Sequence, residues 1–269
     1  MALDEALLQT FAANLSPTIP ENYPAPMVRF YGWQPACLSL GYSQRAEREV
    51  DFEACARLGV EWVRRPTGGR TILHDEAELT YSVVAASADP IFGNGILPAY
   101  RTISGALLGG LRRLGVEADL APKVSLKDIH LATAACFDAP SSYEITVNGR
   151  KLIGSAQFRN NTAFLQQGTI LLSVDVPKLF EVLKPSARLS REQAIEQVSQ
   201  RLTSIEVVRG QPVAFREAQT AFVAGFEAHF SADLQPSSPT LAELELTQVL
   251  KTTKYANLAW NMERQRQRL

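Results

Sequence analysis

Tyr143-Glu-Ile-Thr-Val-Asn-Gly-Arg-Lys-Leu-Ile-Gly-Ser-Ala-Gln157 alternates apolar and polar residues on either side of Asn148-Gly149. That period is the signature of a half-buried strand, and Asn-Gly suits a two-residue turn because both central residues need positive φ. The stretch predicts an antiparallel hairpin with Lys151 on its return strand. Outward from it, Phe164 to Val174 predicts another strand. On the near side, residues 119 to 141 read as irregular, with Pro122 and Pro140 bracketing Cys136.

Closer to the start, Leu3, Leu7, Leu8 and Phe11 recur at helical spacing and predict a helix over 2–13, ended by a loop containing Pro17, Pro20, Pro24 and Pro26. Val28 to Trp33 and Cys37 to Tyr42 predict two strands paired with each other across Gln34-Pro35. Asp51 is the expected N-cap of a short helix carrying Phe52, Cys55 and Leu58, with Gly59 just past its end. Val60 to Arg65 predicts a strand feeding a glycine turn. After a proline- and glycine-rich loop over 87–99, Ile103, Leu107, Leu111 and Leu114 mark one face of a helix. The remainder reads as helical from about residue 178. Ser190 with Gln193 and Thr240 with Glu243 form expected capping boxes, and Phe215, Phe222, Phe226 and Phe230 an expected core stripe. Strands mixed with helices and then a helical tail predict an α+β fold, a mostly antiparallel mixed sheet flanked by helices. A single domain over 1–269 is expected, since only about 30 residues follow Gln235-Pro-Ser-Ser-Pro239, too few for a separate core.

The 269 residues are 46% hydrophobic, which excludes a fibrous or disordered chain. A net charge of -1 from 27 basic and 28 acidic residues leaves no footprint for nucleic acid or a membrane surface. Three cysteines without a CxxC pair argue against a disulfide framework or a zinc ribbon and for a reducing, cytoplasmic setting. No basic leader precedes an apolar stretch, and no run of about 18 apolar residues occurs.

The densest motif is Arg64-Arg65-Pro66-Thr67-Gly68-Gly69-Arg70-Thr71-Ile72-Leu73-His74-Asp75. Consecutive glycines let backbone approach a ligand closely, and the arginines offer fixed cationic donors, a combination suited to a carbonyl or a phosphate. A plain hairpin turn with solvated charge has the same pattern, and the motif is neither a P-loop nor a dinucleotide fingerprint. His74 is either a general base or a hydrogen-bonded structural group. His130 and His229 are not expected in the site. Cys37 on a strand and Cys55 on an amphipathic helix read as small buried hydrophobes. Cys136, in its proline-bracketed loop, fits a buried hydrophobe or a nucleophile equally.

Arg65-Pro-Thr-Gly-Gly69 with His74-Asp75, then Gly149-Arg-Lys-Leu-Ile-Gly-Ser-Ala-Gln157, then Gln167-Gly-Thr-Ile-Leu-Leu172 resemble, in this order, the lipoate ligase and octanoyltransferase family. Met1-Ala-Leu-Asp-Glu-Ala-Leu-Leu, Arg29 to Trp33, Gly41 to Gln44, and Lys254-Tyr255 with Trp260-Asn261 extend the likeness over nearly the whole chain. Ala135-Cys136-Phe137-Asp138-Ala139-Pro140-Ser141 resembles the signature of the LipM-type octanoyltransferases, whereas the family's ATP-using ligases generally lack that cysteine.

The resemblance implies a biotin/lipoate protein ligase-like fold and a transfer without ATP, metal or cofactor. Octanoyl would pass from acyl carrier protein, through a Cys136 thioester, to a lysine of a lipoyl domain such as the glycine-cleavage H protein. Lys151 falls where the family has its active-site lysine. A free thiol with a pKa of about 8.5 is only a few per cent ionised at neutral pH, so a nearby ammonium is needed, and a hairpin folding Lys151 beneath the Cys136 loop would supply it. Backbone N–H groups near Gly154, Ser155 and Ala156 would join Lys151 in meeting the oxyanion, with Arg65, Thr67, Gly68, Gly69 and Arg70 shaping the other wall, and His74, Gln167 and Gly168 are also expected to bind substrate. Gln167 stands where many relatives have histidine. The family usually has a strand ahead of the first helix, so either the start lies further upstream or the sheet is one edge strand short. An ATP-dependent lipoate ligase, an amidotransferase between lipoyl proteins and a catalytically silent lipoyl-domain binder are the alternatives.

Overall fold

The computed structural model describes residues 1–15, 23–121, 144–185 and 188–263. Helix α1 (Ala2–Ala13) leads to β1 (Met27–Tyr31), β2 (Cys37–Leu40), α2 (Ala46–Glu49) and α3 (Phe52–Leu58). Next come β3 (Glu61–Arg64), β4 (Ile72–His74), β5 (Glu78–Ala86), a 3-10 turn (Pro90–Phe92), α4 (Ile96–Arg113) and β6 (Asp119–Leu120). Strands β7 (Ile145–Val147), β8 (Arg150–Arg159) and β9 (Ala163–Leu171) follow. The helical part holds α5 (Val176–Glu181), α6 (Arg191–Arg201), α7 (Ile205–Arg209), α8 (Phe215–Phe230), α9 (Leu241–Leu250), a π turn (Lys251–Tyr255) and α10 (Leu258–Met262).

The predicted hairpin forms: β7 and β8 pair across Asn148 at φ 50° and Gly149 at φ 74°. It belongs to a six-stranded sheet ordered β1-β5-β9-β8-β7-β6, antiparallel at every pairing. A smaller sheet, β3-β2-β4, has β2 parallel to β3 and antiparallel to β4. The fold is therefore α+β with a mostly antiparallel sheet flanked by helices. Both predicted capping boxes are present, and Asp51 accepts from the Ala54 amide at 2.9 Å as the N-cap of α3.

One pairing differs from expectation. Strands β1 and β2 do not pair with each other but lie in different sheets. The nine-residue, fully buried β5 offers β1 a partner along its whole length, from Met27 opposite Val84 to Tyr31 opposite Thr80. Meanwhile β2, buried throughout, sits between two strands of its own. Residues 119 and 120, expected to be irregular, add a short edge strand against β7.

Alternation on β5 and β9 divides the core between the two faces of the large sheet. Tyr81, Val83 and Ala85 pack with Phe164 and Ile170 against α4 and α8, where Phe222 and Phe226 are buried and Phe215 and Phe230 partly so. Val84, Ala86 and Leu165 face Leu7, Leu8 and Phe11 of α1. The C-terminal part is pinned to α1, where Glu5 accepts from Lys254 Nζ at 2.6 and 2.7 Å and from the Tyr255 hydroxyl. Among the described residues no helix is long and apolar enough to cross a membrane.

Candidate active site

The glycine turn is braced from within. Arg65, 3% exposed, donates through Nε and Nη2 to Gly68 O at 3.1 and 2.9 Å, and through Nη2 to Arg70 O at 2.7 Å. Its Nη1 donates to Ser39 O at 2.9 Å and Ser39 Oγ at 3.0 Å. Arg65 thus supports the turn's backbone. His74 lies behind it, with Nε2 2.7 Å from Ser39 Oγ and Nδ1 2.7 Å from Glu78 Oε1. Trp33 stacks on its ring at 4.4 Å. With both nitrogens engaged, His74 ties β4 to β2 and β5, the geometry of a hydrogen-bonded structural group.

The facing wall comes from β8 and β9. Lys151 is buried, and its ammonium meets the Glu144 carboxylate. Its stem lies over Gly154, where a Cβ would come within 2.7 Å of Lys151 Cε, so the glycine makes room for the lysine. Gln167 donates to Asp4 Oδ2 at 2.6 Å, and Thr67 Oγ1 is 3.5 Å from Gln167 Oε1. The glutamine therefore joins the first helix to the glycine turn.

Asp4 is fully buried and also receives Arg29, the Tyr31 hydroxyl at 2.6 Å and the Ser82 hydroxyl at 2.9 Å. Burial pushes its pKa up, but the Met1 amino group, Arg29 and the Tyr31 and Ser82 hydroxyls outweigh that and hold the carboxyl below its usual value.

Between the walls lies a cavity of about 310 Å³, within the range of small-molecule sites. Arg65, Thr67, Gly68, Gly69, Arg70 and His74 line one side, and Lys151, Gly154, Ser155, Ala156, Gln167 and Gly168 the other. The two glycine motifs, about eighty positions apart, are thus brought to one cavity. Cys136 and His130 lie outside the described residues. Tyr31, Tyr100, Glu144 and Thr169 also line the cavity and were not anticipated. Thr169 adjoins a predicted motif and Glu144 opens the predicted hairpin, whereas Tyr100 carries no local signal.

Cys37 and Cys55 are buried, 5% and 1% exposed. Burial, with Glu61 nearby, pushes the Cys37 thiol up to about 12, and burial, with Asp51, takes Cys55 to about 11. At pH 8 fewer than about one in a thousand of either is thiolate. Native protein treated briefly with iodoacetamide at pH 8 should carry no label on Cys37 or Cys55, with both labelled after unfolding. Peptide mapping checks this, and native alkylation of Cys37 would contradict its burial.

Two sheets sharing a cavity between a glycine turn and a lysine-bearing hairpin define a catalytic domain of the lipoate-ligase type. Residues 1–227 match the lipoyl protein ligase A/B catalytic domain, and the chain belongs to that family. It is 44% identical over 260 residues to octanoyltransferase LipM of Carboxydothermus hydrogenoformans, spanning 97% of this chain and 92% of that one. With octanoyltransferase LipM of Bacillus subtilis the identity is 42% over 271 residues, spanning 98% and 93%. Among solved structures, the bipartite lipoate protein ligase studied with its E2 lipoyl domain from Thermoplasma acidophilum has a TM-score of 0.78 at 26% identity, covering 100% of this chain and 92% of that one. Lipoate-protein ligase A bound with ATP has a TM-score of 0.75 at 27% identity, covering 97% and 92%.

Proposed function

We propose that this protein is a cytoplasmic octanoyltransferase of lipoate biosynthesis, moving octanoyl from acyl carrier protein to a lysine of a lipoyl domain such as the glycine-cleavage H protein, with Cys136 as the intermediate carrier. The relatives named octanoyltransferase, matched over nearly the whole chain, support the reaction class. The observation that carries the catalytic assignment is the position of Lys151. It is a buried cation on the cavity wall, touching Glu144, and Glu144 O accepts from the Ala121 amide at 2.7 Å. Ala121 and Glu144, the last described residue before Cys136 and the first after it, thus pair with each other, and Glu144 touches this lysine.

In the proposed reaction the Cys136 thiolate attacks the donor thioester carbon. The bond to the donor sulfur breaks, and the departing thiolate takes a proton. The acceptor amine then attacks the Cys136 thioester, an amide forms, and the amine's proton passes to the released sulfur. Thioester exchange is nearly balanced and amide formation is downhill, so no nucleotide is consumed. Lys151 favours thiolate over thiol and stabilises negative charge on the carbonyl oxygen in both steps.

Incubation with octanoyl-acyl carrier protein should add one octanoyl mass to Cys136, absent from Cys136→Ala. Acylation confined to other residues, or transfer of free lipoate with ATP that survives Cys136→Ala, would refute the scheme and favour a ligase.

A further inference from the structure

Tyr81 on β5, Gly168 on β9 and Ser155 on β8 stand directly opposite one another in a row across three strands. A Cβ at Gly168 would lie 2.3 Å from Tyr81 Cε1 and 2.9 Å from Ser155 Oγ. Only a glycine there lets the tyrosine ring pass over the central strand, and its hydroxyl reaches Ser155 Oγ at 2.7 Å. Gln166 Nε2 donates to the same tyrosine oxygen at 2.9 Å, and Gln157 Nε2 donates to Gln166 Oε1 at 3.0 Å.

Proton counting gives this chain a direction. The Tyr81 hydroxyl has one proton, is fully buried and already accepts from Gln166, so Ser155 Oγ is the acceptor open to it. Burial pushes the Tyr81 pKa up to about 12, so the proton is in place at neutral pH. Reversing both amides would turn the chain around. It would also leave the buried Gln157 NH2 without an acceptor instead of leaving only its Oε1 without a donor, and orphaned buried N–H groups are the rarer of the two. Ser155 is half-buried and lines the cavity next to Gly154, against which Lys151 packs. Accepting the hydrogen bond from Tyr81, its hydroxyl keeps its own proton for whatever occupies the cavity.

We propose that Ser155 is a catalytic residue, a neutral hydroxyl donor to the thioester carbonyl oxygen that complements Lys151, with Tyr81 and Gln166 as positioning residues that aim its proton. This rests on the octanoyl-transfer reading. A donor fixed before the reaction stabilises charge as it develops on the oxygen, with no reorientation in the transition state.

The test is a double-mutant cycle on octanoyl transfer from octanoyl-acyl carrier protein to a lipoyl domain. Ser155→Ala is expected to lower kcat about 100-fold while leaving KM within about threefold. Tyr81→Phe should lower kcat about tenfold in the wild-type background but less than about twofold beside Ser155→Ala, because its effect runs through the serine. A Ser155→Ala kcat within about threefold of wild type, or an equal Tyr81→Phe loss in both backgrounds, overturns the proposal while leaving octanoyl transfer intact. Wild-type protein that moves no octanoyl overturns both. Should Tyr81→Phe not fold, Ser155→Ala decides alone by the same kcat criterion.

Discussion

Lys151→Met is expected to lower kcat for octanoyl transfer by about a thousandfold or more. Two effects combine. Without the ammonium the thiol of the proposed nucleophile returns toward a pKa of about 8.5, and each unit of upward shift removes about tenfold of the thiolate at neutral pH. In the proposed reaction the oxyanion also loses its charged donor, typically worth about 10²–10³ in kcat. The fold suffers as well, because Glu144, 8% exposed, loses this counter-charge, and breaking a buried pair from one side costs about 3–5 kcal/mol. Lys151→Met with Glu144→Gln removes both charges, so it should recover most of the thermal stability and none of the activity. Denaturation curves beside a steady-state transfer assay read both quantities. A double variant that regained both would make Lys151 merely the partner of Glu144.

Local chemistry was legible in the sequence, whereas long-range juxtaposition was not. The hairpin was readable because Asn148-Gly149 and the flanking alternation are contained within fifteen residues. The capping boxes at Ser190 and Thr240 were readable because each spans a single turn. The cavity walls were marked by glycines whose purpose the sequence alone does not reveal. Gly168 is explained by Tyr81 and Ser155, one on each neighbouring strand, and Gly154 by the lysine stem lying across it. Strand β1 pairs with β5 and not with its sequence neighbour β2, because adjacency in sequence is only a weak guide to which strand supplies the longer buried ladder. The pairing of Lys151 with Glu144 was invisible for a different reason. The hairpin register shifts between Ile145 and Thr146, a departure from strict alternation that no residue pattern announces, and Glu144 lies just beyond it. The arginines beside the glycine turn suggested donors for a ligand, yet Arg65 turns its guanidinium into the turn itself. Counting charges in a motif does not say which way they point.

Arg64 carries this furthest and sets the second large effect: Arg64→Met should destabilise the protein by about 4–5 kcal/mol. The side chain is fully buried, and burial pulls its pKa below the usual arginine value, yet a guanidinium stays protonated at neutral pH. Its charge is met by main-chain carbonyls. Nη1 donates to Gly41 O at 3.0 Å, Tyr42 O at 3.0 Å and Gln44 O at 2.8 Å. Nε donates to Trp260 O at 3.0 Å, and Nη2 to Asn261 O at 2.9 Å and Met262 O at 3.4 Å. The last three belong to the final turn of α10, whose carbonyls have no partner within the helix. The same residue's amide donates to Asn261 Oδ1 at 2.8 Å, and its carbonyl accepts from Trp260 Nε1 at 3.1 Å. One planar fork thus clamps the C-terminal helix and the loop after β2 to the small sheet. Methionine fills much of the volume but leaves several buried acceptors bare, each costing about 1–3 kcal/mol before relaxation and water entry. Lysine, a point donor with three protons, should recover less than half of the loss. Because Tyr42 N donates to Thr67 O at 3.0 Å, the clamped loop also supports the glycine turn, so the methionine variant should raise KM for the acyl donor as it lowers the urea midpoint. A urea midpoint unchanged by Arg64→Met would mean that water satisfies those carbonyls as well as the arginine does.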